Sequence, residues 1–363
     1  MQVTRVRPSD LSPSETARWR ALHGEDGDAF TSPDFALVVD RVRSDVWVVV
    51  VEDGNEICGF WPFSCRRRVA APILPGYTNS EGMVHAVGFE WSWHDLLRKS
   101  QLVGWRFASL AGEQAWRARG HLVHQSSPVV DLGEGWAAYD ARLRRLHGRT
   151  AKALDARRRR LHRDHHVQFE TGGPPDALDG LIALKRAQCR ARGWKDTFGP
   201  SWTRQLLHEL VEDSHEGLTC VLHSLVVDDD QLAATTLRLR SGRREFVWFT
   251  AYDRRFGAYS PGMLSELQAL EVAAGDGVRS VDMGKGSEAH KWFLSNAERP
   301  VVSGMIGAQG WGGARFLSSR AGAFWARQWL ERHPDHFGRM QSAVHRARRI
   351  RGLVLGPQAD QAA

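Results

Sequence analysis

The sequence predicts a mixed α/β protein, α+β in its arrangement, built from two similar domains that are each a mixed sheet flanked by helices. The length of 363 residues suits two domains at the usual size of about 150 residues each. Hydrophobic residues make up 42% and charged residues 25% of the chain, which is typical of globular proteins with a sizeable core. The same order of strands and helices occurs on both sides of a Thr-Gly-Gly-Pro-Pro linker at residues 171–175.

A weak internal repeat supports two related domains. Val50-Val51-Glu52-Asp53 resembles Val226-Val227-Asp228-Asp229, and Gly82-Met83 matches Gly262-Met263. Both pairs keep nearly the same separation along the chain, as a duplication would produce. We therefore expect two domains with separate sheets, the second of which begins near residue 167.

Local signals define the elements of the first domain, expected at residues 1–135. Ser32 followed by Pro33 is typical of a helix N-cap with proline at the first helical position. The apolar run from Val46 to Val51 predicts a buried strand that turns at Asp53-Gly54-Asn55. The predicted helices are 14–23, 32–43 and 90–99, and the predicted strands are 45–52, 56–63, 105–110 and 127–132.

A basic helical connector is expected at residues 136–166, as one long helix or a helical hairpin, because it lacks proline and has one internal glycine, Gly148. Between Arg142 and His165, ten basic residues face only Asp155 and Asp164, a net charge of +8, whereas the whole chain carries +7. This helix, residues 142–165, could bind an anionic partner. The alternative is a solvated helical face.

The second domain is expected at residues 167–312, followed by a C-terminal helix and tail at 313–363. Its elements repeat the order of the first domain, with turns at 228–230 and at Ser241-Gly242. The predicted strands are 167–170, 218–227, 231–239, 245–252, 279–283 and 300–306, and the predicted helices are 176–192, 201–212, 260–274, 287–294 and 314–331.

Several classes of protein are excluded by composition. The longest clean apolar run, 46–51, is far shorter than the roughly 18 residues that a transmembrane helix needs, and the N-terminus has no secretory signal. Four cysteines without a C-x-x-C pair suggest neither a disulfide scaffold nor a zinc ribbon. We expect a soluble, cytoplasmic protein that has no bound metal and no membrane partner.

The segment most suited to binding a ligand is the start of the helix at Ser260-Pro261-Gly262, which follows an aromatic strand. Backbone N–H groups at a helix start lack intrahelical partners and favour anions, and a glycine lets a ligand approach the backbone. Arg254 and Arg255 lie just upstream and would strengthen phosphate binding. The N–H groups expected to be free are those of Gly262, Met263 and Leu264. The alternative is an ordinary capped helix.

A second polar stretch follows the strand at 279–283. It contains G-x-G-x-x-A from Gly284 to Ala289, which imitates a dinucleotide fingerprint, but no βαβ unit follows it. A loop at the end of a strand that presents charged side chains into a cleft is the better interpretation, and a solvated turn is the alternative. The side chains concerned are Asp282, Lys285, Glu288 and Lys291.

Together these residues resemble the GNAT superfamily, and specifically its CelD/BcsL-type acyltransferase family, which is similar to the Fem peptidyl transferases with their two GNAT-like domains in tandem. The resemblance runs from about residue 15 to 310. Arg254 to Gly262 takes the place of the usual phosphate loop, and His290 stands where the family more often has tyrosine. The stretches that carry it are Tyr252-Asp253 to Gly262, Asp282 to Gly286 with Glu288 and Lys291, and Leu184-Lys185-Arg186.

The resemblance implies acyl transfer from a phosphopantetheine thioester, acyl-CoA or acyl-carrier protein, to an amine. It also implies an oxyanion site on the backbone near 251–253. The implied donor-binding residues are Arg254, Arg255, Tyr259, Ser260, Gly262 and Met263. The implied general bases are Asp282, Glu288 and His290, and the implied acids for the leaving thiolate are Tyr252, Tyr259 and Lys291.

The donor and the acceptor stay open at this level. The acceptor could be a peptide, an amino sugar or another biosynthetic intermediate. The basic helix could bind an acyl carrier protein, or a tRNA if the enzyme were a Fem-like aminoacyl-tRNA-dependent transferase. A non-enzymatic nucleic-acid-binding protein is a third hypothesis, but a single basic helix without interleaved aromatic residues is a thin footprint for one.

Overall fold

The structure is a computed structural model that describes residues 1–118, 120–172, 175–213 and 215–332. In this part of the chain, thirteen strands form one large mixed sheet with helices packed against it. The predicted mixed α/β class is therefore confirmed. The predicted tail beyond residue 332 lies outside the described residues, as do Gly173 and Pro174 of the predicted linker.

The first half of the chain follows the sequence prediction closely and adds short elements to it. Ser32 caps its helix as predicted, since its hydroxyl accepts the N–H of Phe35 at 3.1 Å. The elements are β1 Gln2–Val6, α1 Pro13–His23, α2 Pro33–Val42, β2 Val46–Asp53, β3 Glu56–Arg66, β4 Val69–Ala71, β5 Val84–His85, α3 Trp93–Lys99, β6 Gly104–Ala111, α4 Gly112–Ala115 and β7 Gly120–Asp131.

The second half repeats the same order of elements after one long helix. This helix is α5, Trp136–Asp164. The remaining elements are β8 Val167–Thr171, α6 Pro175–Arg192, α7 Ser201–Glu212, β9 Thr219–Val227, β10 Gln231–Ser241, β11 Arg244–Tyr252, α8 Pro261–Gly275, β12 Ser280–Asp282, α9 Ala289–Leu294, β13 Ala297–Gly307 and α10 Trp311–Arg332.

The basic segment is one helix with a kink, and not a hairpin. The kink is at His147, whose φ of −127° and ψ of 35° are not helical, directly before Gly148. Glycine weakens a helix interior because it has more conformational freedom to lose than any other residue. The two predicted alternatives for 136–166 are thus decided in favour of a single bent helix.

The last strands of the two halves are exchanged. Along the sheet the strands follow the order β1-β2-β3-β4-β6-β13-β7-β12-β11-β10-β9-β8. β13, from the second half, lies between β6 and β7, and β7, from the first half, lies between β13 and β12. Each half therefore completes its part of the sheet with a strand from the other half.

The expectation of two separate sheets is wrong. The exchange joins what would be two sheets into one, because β7 and β13 pair antiparallel from Ala297↔Val129 to Ile306↔Gly120. Pairing at this junction covers two strand edges that would otherwise expose unpaired backbone groups. The division of the chain into domains at 135 and 167 therefore does not correspond to a division of the sheet.

The two sequence repeats have different outcomes in the structure. Val50–Asp53 lies at the end of β2 and Val226–Val227 lies at the end of β9, which occupy the same place in the order of elements. Gly262 is the second residue of α8, whereas Gly82 precedes β5 outside any helix and has a positive φ of 145°. Only the first match therefore joins equivalent positions.

The two halves also share a hydrophobic core. Phe30 of the first half contacts Phe246 and Trp248 of β11, with ring centroids 4.8 and 5.9 Å apart, and Phe35 of α2 contacts Trp248 at 6.0 Å. All four side chains belong to one buried cluster. The N-terminal half therefore packs directly against the strand that carries the candidate site. None of the described helices is long and apolar enough to cross a membrane.

The strand exchange predicts that neither half folds alone. A fragment of residues 136–363 lacks β7, so β12 and β13 would lose their common neighbour, and we expect no cooperative urea unfolding by circular dichroism. The control is co-expression with residues 1–135, which supplies β7 and should restore a folded two-chain complex. Cooperative unfolding of the isolated 136–363 fragment would contradict the exchange.

Candidate functional site

The site begins where two parallel strands part. β11 and β12 pair only from Arg244↔Ser280 to Phe246↔Asp282. β12 ends there, while β11 continues to Tyr252 beside β10. A cavity of about 540 Å³ lies along the part of β11 that β12 leaves without a neighbour. Such gaps outside the ends of parallel strands are common places for ligands.

A β-bulge in β11 contributes to the divergence. Leu237 pairs with Phe249 and the next residue, Arg238, pairs with Val247, so Trp248 is the extra residue. A bulge bends its strand and re-aims the side chains on either side of it. The indole N–H of Trp248 donates to the carbonyl oxygen of Tyr77 at 2.8 Å, which ties the bulge to the first half of the chain.

The cavity has walls on both faces of the sheet. α6 packs on the face that carries Leu237, whereas α8 packs on the opposite face, where Leu270 contacts Val247. One wall comes from α6 and the segment after it, with Lys185, Gln188, Arg192 and Trp194. The other comes from α8, its start and the α9 region, with Ser260, Gly262, Met263, Ser265, Glu266, Glu288, His290 and Lys291.

The start of α8 lies at the rim of the cavity and is unusually built. Ser260 has left-handed backbone angles, φ 55° and ψ 50°, and its side chain caps no backbone N–H. Its hydroxyl instead accepts a hydrogen bond from Arg157 of α5 at 2.7 Å. A non-glycine residue in this conformation is uncommon and is often found at functional sites.

Only one of the three predicted N–H groups is free. The N–H groups of Met263 and Leu264 both donate to the carbonyl oxygen of Ser260, at 3.0 and 3.2 Å. In the described part of the chain, the N–H of Gly262 has no acceptor. A Cβ at Gly262 would lie 3.6 Å from Cδ1 of Tyr252, so the glycine leaves open space beside the cavity wall.

Three predicted donor-binding side chains lie outside the cavity lining. Arg255 is bonded to Asp253, which accepts its Nε at 2.8 Å, and this contact holds the pKa of Asp253 below its usual range. Arg254 is exposed in the 3-10 helix that precedes Ser260. Tyr259 donates its hydroxyl to Asp164 of α5 at 3.0 Å, and this carboxylate raises the pKa of Tyr259. The structure does not bring these three side chains to the cavity.

Asp282 is engaged elsewhere. Its Oδ1 accepts from Ser127 at 2.6 Å and from the N–H of Gly284 at 2.8 Å, and its Oδ2 lies 2.6 Å from Nη2 of Arg299. The residue is buried and does not line the cavity. A carboxylate with both oxygens bound to donors and paired with a half-buried arginine is poorly placed to accept a substrate proton, so the geometry does not support the predicted role as base.

Lys285 also points away from the cleft into which it was predicted to extend. Its Nζ donates to the carbonyl oxygen of Ala108 at 2.5 Å and to the hydroxyl of Ser303 at 2.8 Å. These partners lie on β6 and β13, so Lys285 fastens the loop after β12 to the first half of the sheet. Its role there is structural.

The remaining predicted residues converge on the cavity. Glu288, His290, Lys291 and Tyr252 all line it, with Tyr252 40% exposed. Lys291 pairs with Glu288 at 3.4 Å and also donates to the carbonyl oxygen of Gly284 at 3.3 Å. Partial desolvation, together with the positive charge of Lys291, lowers the pKa of His290, so its imidazole is favoured in the unprotonated form that can accept a proton.

Sequence reasoning missed a polar floor beneath the cavity. Thr236 and Ser265 are each 2% exposed, line the cavity and have hydroxyls without a partner among the described residues. Glu266 is 4% exposed, and its Oε1 lies 2.5 Å from Nη2 of the buried Arg238. The available signal was the adjacent polar pair Ser265-Glu266 inside a largely apolar helix at 261–275.

The basic helix reaches the rim of the cavity at its second half. Several of its arginines are held by acidic neighbours, as in the Arg144–Asp155 pair at 2.7 Å. Arg157 contacts Ser260. Besides Arg157, five exposed cations form no ion pair with a carboxylate in the described residues: Arg142, Arg145, Arg149, Lys152 and Arg159. α5 thus presents a positive surface next to the start of α8.

Comparison with known proteins identifies a domain in the second half. A family model described as the acetyltransferase (GNAT) domain matches residues 148–292. This segment contains β10, β11 and α8 and therefore most of the cavity. The comparison with curated proteins finds no match.

Solved structures share the fold over most of the chain. FemX has a TM-score of 0.56 at 10% identity, covering 84% of this chain and 96% of its own. The C-terminal domain of a putative lysylphosphatidylglycerol synthetase from Agrobacterium fabrum has a TM-score of 0.53 at 14% identity, covering 85% and 96%. L-PGS from Bacillus licheniformis has a TM-score of 0.51 at 11% identity, covering 87% and 97%. At these identities the likeness concerns the fold alone.

The ion pairs of Arg238 should matter for stability. Arg238 lies between Glu245, at 3.1 Å, and Glu266, and all three side chains are almost fully buried. Arg238→Met leaves two buried carboxylates without this partner, so we expect a loss of about 3–5 kcal/mol in the free energy of unfolding. Urea titration measures it.

The matched control is Arg243→Gln, which removes a surface arginine that pairs with Asp26 at 3.2 Å. Exposed pairs contribute about 0–1 kcal/mol, so this variant should stay close to the wild type. Equal losses in the two variants would show that the buried network is not specially important.

Proposed function

We propose that the protein transfers an acyl group from a phosphopantetheine thioester to an amine, because residues 148–292 match the model of the acetyltransferase (GNAT) domain. The donor is acyl-CoA or acyl-carrier protein, and the acceptor is a peptide, an amino sugar or another biosynthetic amine. The observation that carries the proposal is the cavity between the diverging strands β11 and β12, with the start of α8 at its rim.

The donor enters from the α8 side. Its phosphates lie at the start of α8, where the N–H of Gly262 is free and the guanidinium of Arg157 adds positive charge. Its pantetheine arm follows the edge of β11 from Tyr252 towards Val247, where backbone groups have no strand neighbour on the β12 side. An N–H group on this edge stabilises the oxyanion of the tetrahedral intermediate.

The chemistry needs a base for the incoming ammonium and an acid for the leaving thiolate. The amine nitrogen attacks the thioester carbonyl, the carbon–sulfur bond breaks, and the thiolate takes up a proton. His290 is the better base, because it lines the cavity and its lowered pKa keeps the imidazole unprotonated, whereas Glu288, the second candidate, is paired with Lys291. Tyr252 is the better acid, because it lines the cavity next to Gly262, whereas Tyr259 is bonded to Asp164.

We assign the catalytic role to residues 167–312 and regard residues 1–135 as a degenerate GNAT-like domain. The cavity lining comes almost wholly from the second half, and the first half contributes Asn79. The basic helix between them leads to the rim through Arg157, which suits a donor attached to an acidic carrier protein. A Fem-like transferase that takes its acyl group from aminoacyl-tRNA is the second candidate, supported by the five unpaired cations of α5.

The proposal is tested by thiol release. Purified protein is incubated with acetyl-CoA, long-chain acyl-CoA or acyl-carrier protein and a panel of amines, and free thiol is measured with a colorimetric reagent. An amine-dependent release from one of these donors supports the proposal. No release from any thioester, together with transfer from aminoacyl-tRNA, would favour the second candidate.

Gly262→Val should weaken donor binding. The added side chain occupies the approach to the single free N–H at the start of α8, and hydrogen bonds to charged groups contribute about 1.5–3 kcal/mol. We expect the Kd for acetyl-CoA, measured by calorimetry, to rise by about tenfold to a hundredfold. Gly275→Val is the matched control, because it lies at the other end of α8 with open space around it. Normal donor binding by Gly262→Val would place the phosphates elsewhere.

The α5 arginines should determine the salt dependence of carrier binding. Replacing Arg157 to Arg160 with glutamine removes four positive charges, including the one that contacts Ser260. Affinity for acyl-carrier protein should fall, and its decrease with rising salt should become shallower. The control is acetyl-CoA, which lacks a protein carrier and is placed near only Arg157 of the four, so it should lose less affinity than the carrier protein does. Unchanged carrier affinity at low salt would indicate that α5 is a solvated face.

A further inference from the structure

A stripe of polar side chains on α6 faces the cavity. Lys185, Gln188 and Arg192 are spaced three, four and seven residues apart, which places them on one face of the helix, and all three line the cavity. Lys185 donates from Nζ to the carbonyl oxygen of Thr250 on β11 at 3.3 Å. Arg192 lies over the ring of Trp194 at 4.5 Å. The helix therefore presents two cations to this wall.

Neither cation has a carboxylate partner in the described part of the chain. Other arginines of the region do, as Arg186 shows by its ion pair with Asp196 at 2.8 Å. Lys185 and Arg192 instead contact a carbonyl oxygen and an aromatic ring, which neutralise no charge. The cavity wall thus has two positive charges that the protein leaves uncompensated.

The carboxylates of the cavity lining cannot balance them. Glu266 is bound by Arg238 at 2.5 Å and Glu288 is paired with Lys291 at 3.4 Å. Desolvation lowers the pKa of Lys185, and the positive charges of Arg192 and Lys291 lower it further, although Cys189 opposes this. A ligand with a negative charge would relieve this repulsion and stabilise all the cations involved.

We propose that the acceptor amine carries an anionic group, a carboxylate or a phosphate, which Lys185 and Arg192 bind on the α6 wall. This inference rests on the proposed function. Donor and acceptor then bind on opposite faces of the sheet, because the donor phosphates bind at the start of α8 and α6 packs on the opposite face. The gap beside β11 connects the faces, so an acceptor held on the α6 side reaches a thioester that enters from the α8 side.

The experiment compares amines that differ only in the anionic group. The pairs are L-alanine with L-alaninamide, and glucosamine 6-phosphate with glucosamine. For each amine, kcat/KM with saturating acetyl-CoA and the Kd by calorimetry are measured on the full chain. We expect the charged member of at least one pair to be favoured by about tenfold to a hundredfold, the scale of charge-assisted hydrogen bonds. The pair that shows the preference distinguishes a carboxylate from a phosphate.

Variants of Lys185 and Arg192 test whether these two residues cause the preference for the anionic amine. Lys185→Met and Arg192→Gln should each remove most of it, with the Kd for acetyl-CoA unchanged, and Lys185→Arg should restore part of it. Arg190→Gln is the matched control, because this exposed arginine lies on α6 outside the cavity lining. It should keep the wild-type preference. Thermal unfolding of each variant confirms that the fold is retained.

Two results would overturn the inference. The first is wild-type protein that binds acetyl-CoA but favours neither charged amine in kcat/KM or in Kd. The second is a Kd for acetyl-CoA that rises in Lys185→Met and Arg192→Gln as much as the preference falls, because the two cations would then hold donor phosphates. Failure of the proposed function is a different result, namely wild-type protein that neither binds nor consumes any thioester donor.

Discussion

The exchange of β7 and β13 is the constraint on which the rest of the structure depends. β12 has only three residues, too few to be held firmly by its parallel pairing with β11 alone. β7 pairs with it on the other side, from Ser280↔Asp131 to Asp282↔Val129, and β7 is itself fixed along its length by β13. β12 is therefore held by β7 while β11 diverges from it at the bulge. The cavity forms between the two strands because β7 keeps β12 from following β11.

The floor of the cavity is held by polar contacts instead of apolar ones. Arg238 on β10 binds Glu266 of α8 and also the carbonyl oxygen of Ala269 at 3.2 Å, so hydrogen bonds of defined direction fix α8 against the sheet. A purely apolar contact would allow the helix to slide, and the position of its first turn would be less certain. The ion pair with Arg238 also neutralises the charge of Glu266, which leaves the cavity lining with an excess of positive charge.

Local structure could be predicted from the sequence, and long-range structure could not. The cap at Ser32 and the strand at 46–53 are determined by neighbouring residues, so their prediction was accurate. The exchange of β7 and β13 depends on pairing between residues more than 150 positions apart, for which the sequence has no local signal. Two separate sheets were the natural expectation from a repeated order of elements.

The candidate site shows the same limit. Asp282 lies at the end of a strand and has the appearance of a catalytic residue, but its partners Ser127 and Arg299 come from other strands and occupy its oxygens. Gly262 was predicted from its neighbours in the sequence and His290 from the family resemblance, and both line the cavity. The role proposed for Lys185 rests on its lack of a carboxylate partner among the described residues, which only the assembled cavity reveals.

Each half contains a short parallel strand pair beyond which one strand has no neighbour on that side, and the two resulting gaps differ in what occupies them. β4 and β6 also pair in parallel for only two residues, and β6 then continues without a strand neighbour on the β4 side. In the first half the chain fills this gap itself, because Glu81 pairs with β6 and its carboxylate accepts the N–H groups of Ala108 and Ser109. Burial there raises the pKa of Glu81 to about 8.

The gap beside β6, which Glu81 fills, is also where the loop after β12 is attached. Lys285, from the loop after β12, reaches the carbonyl oxygen of Ala108 beside Glu81, and its positive charge favours the ionised carboxylate. The same loop continues through Gly284 to Glu288 along the cavity wall. Since a loop that is fastened at one end has fewer conformations to lose when a ligand binds, closure of the first gap helps to preorganise the second. The first half supplies only Asn79 to the lining of the candidate cavity, but it therefore still contributes to the geometry of that cavity.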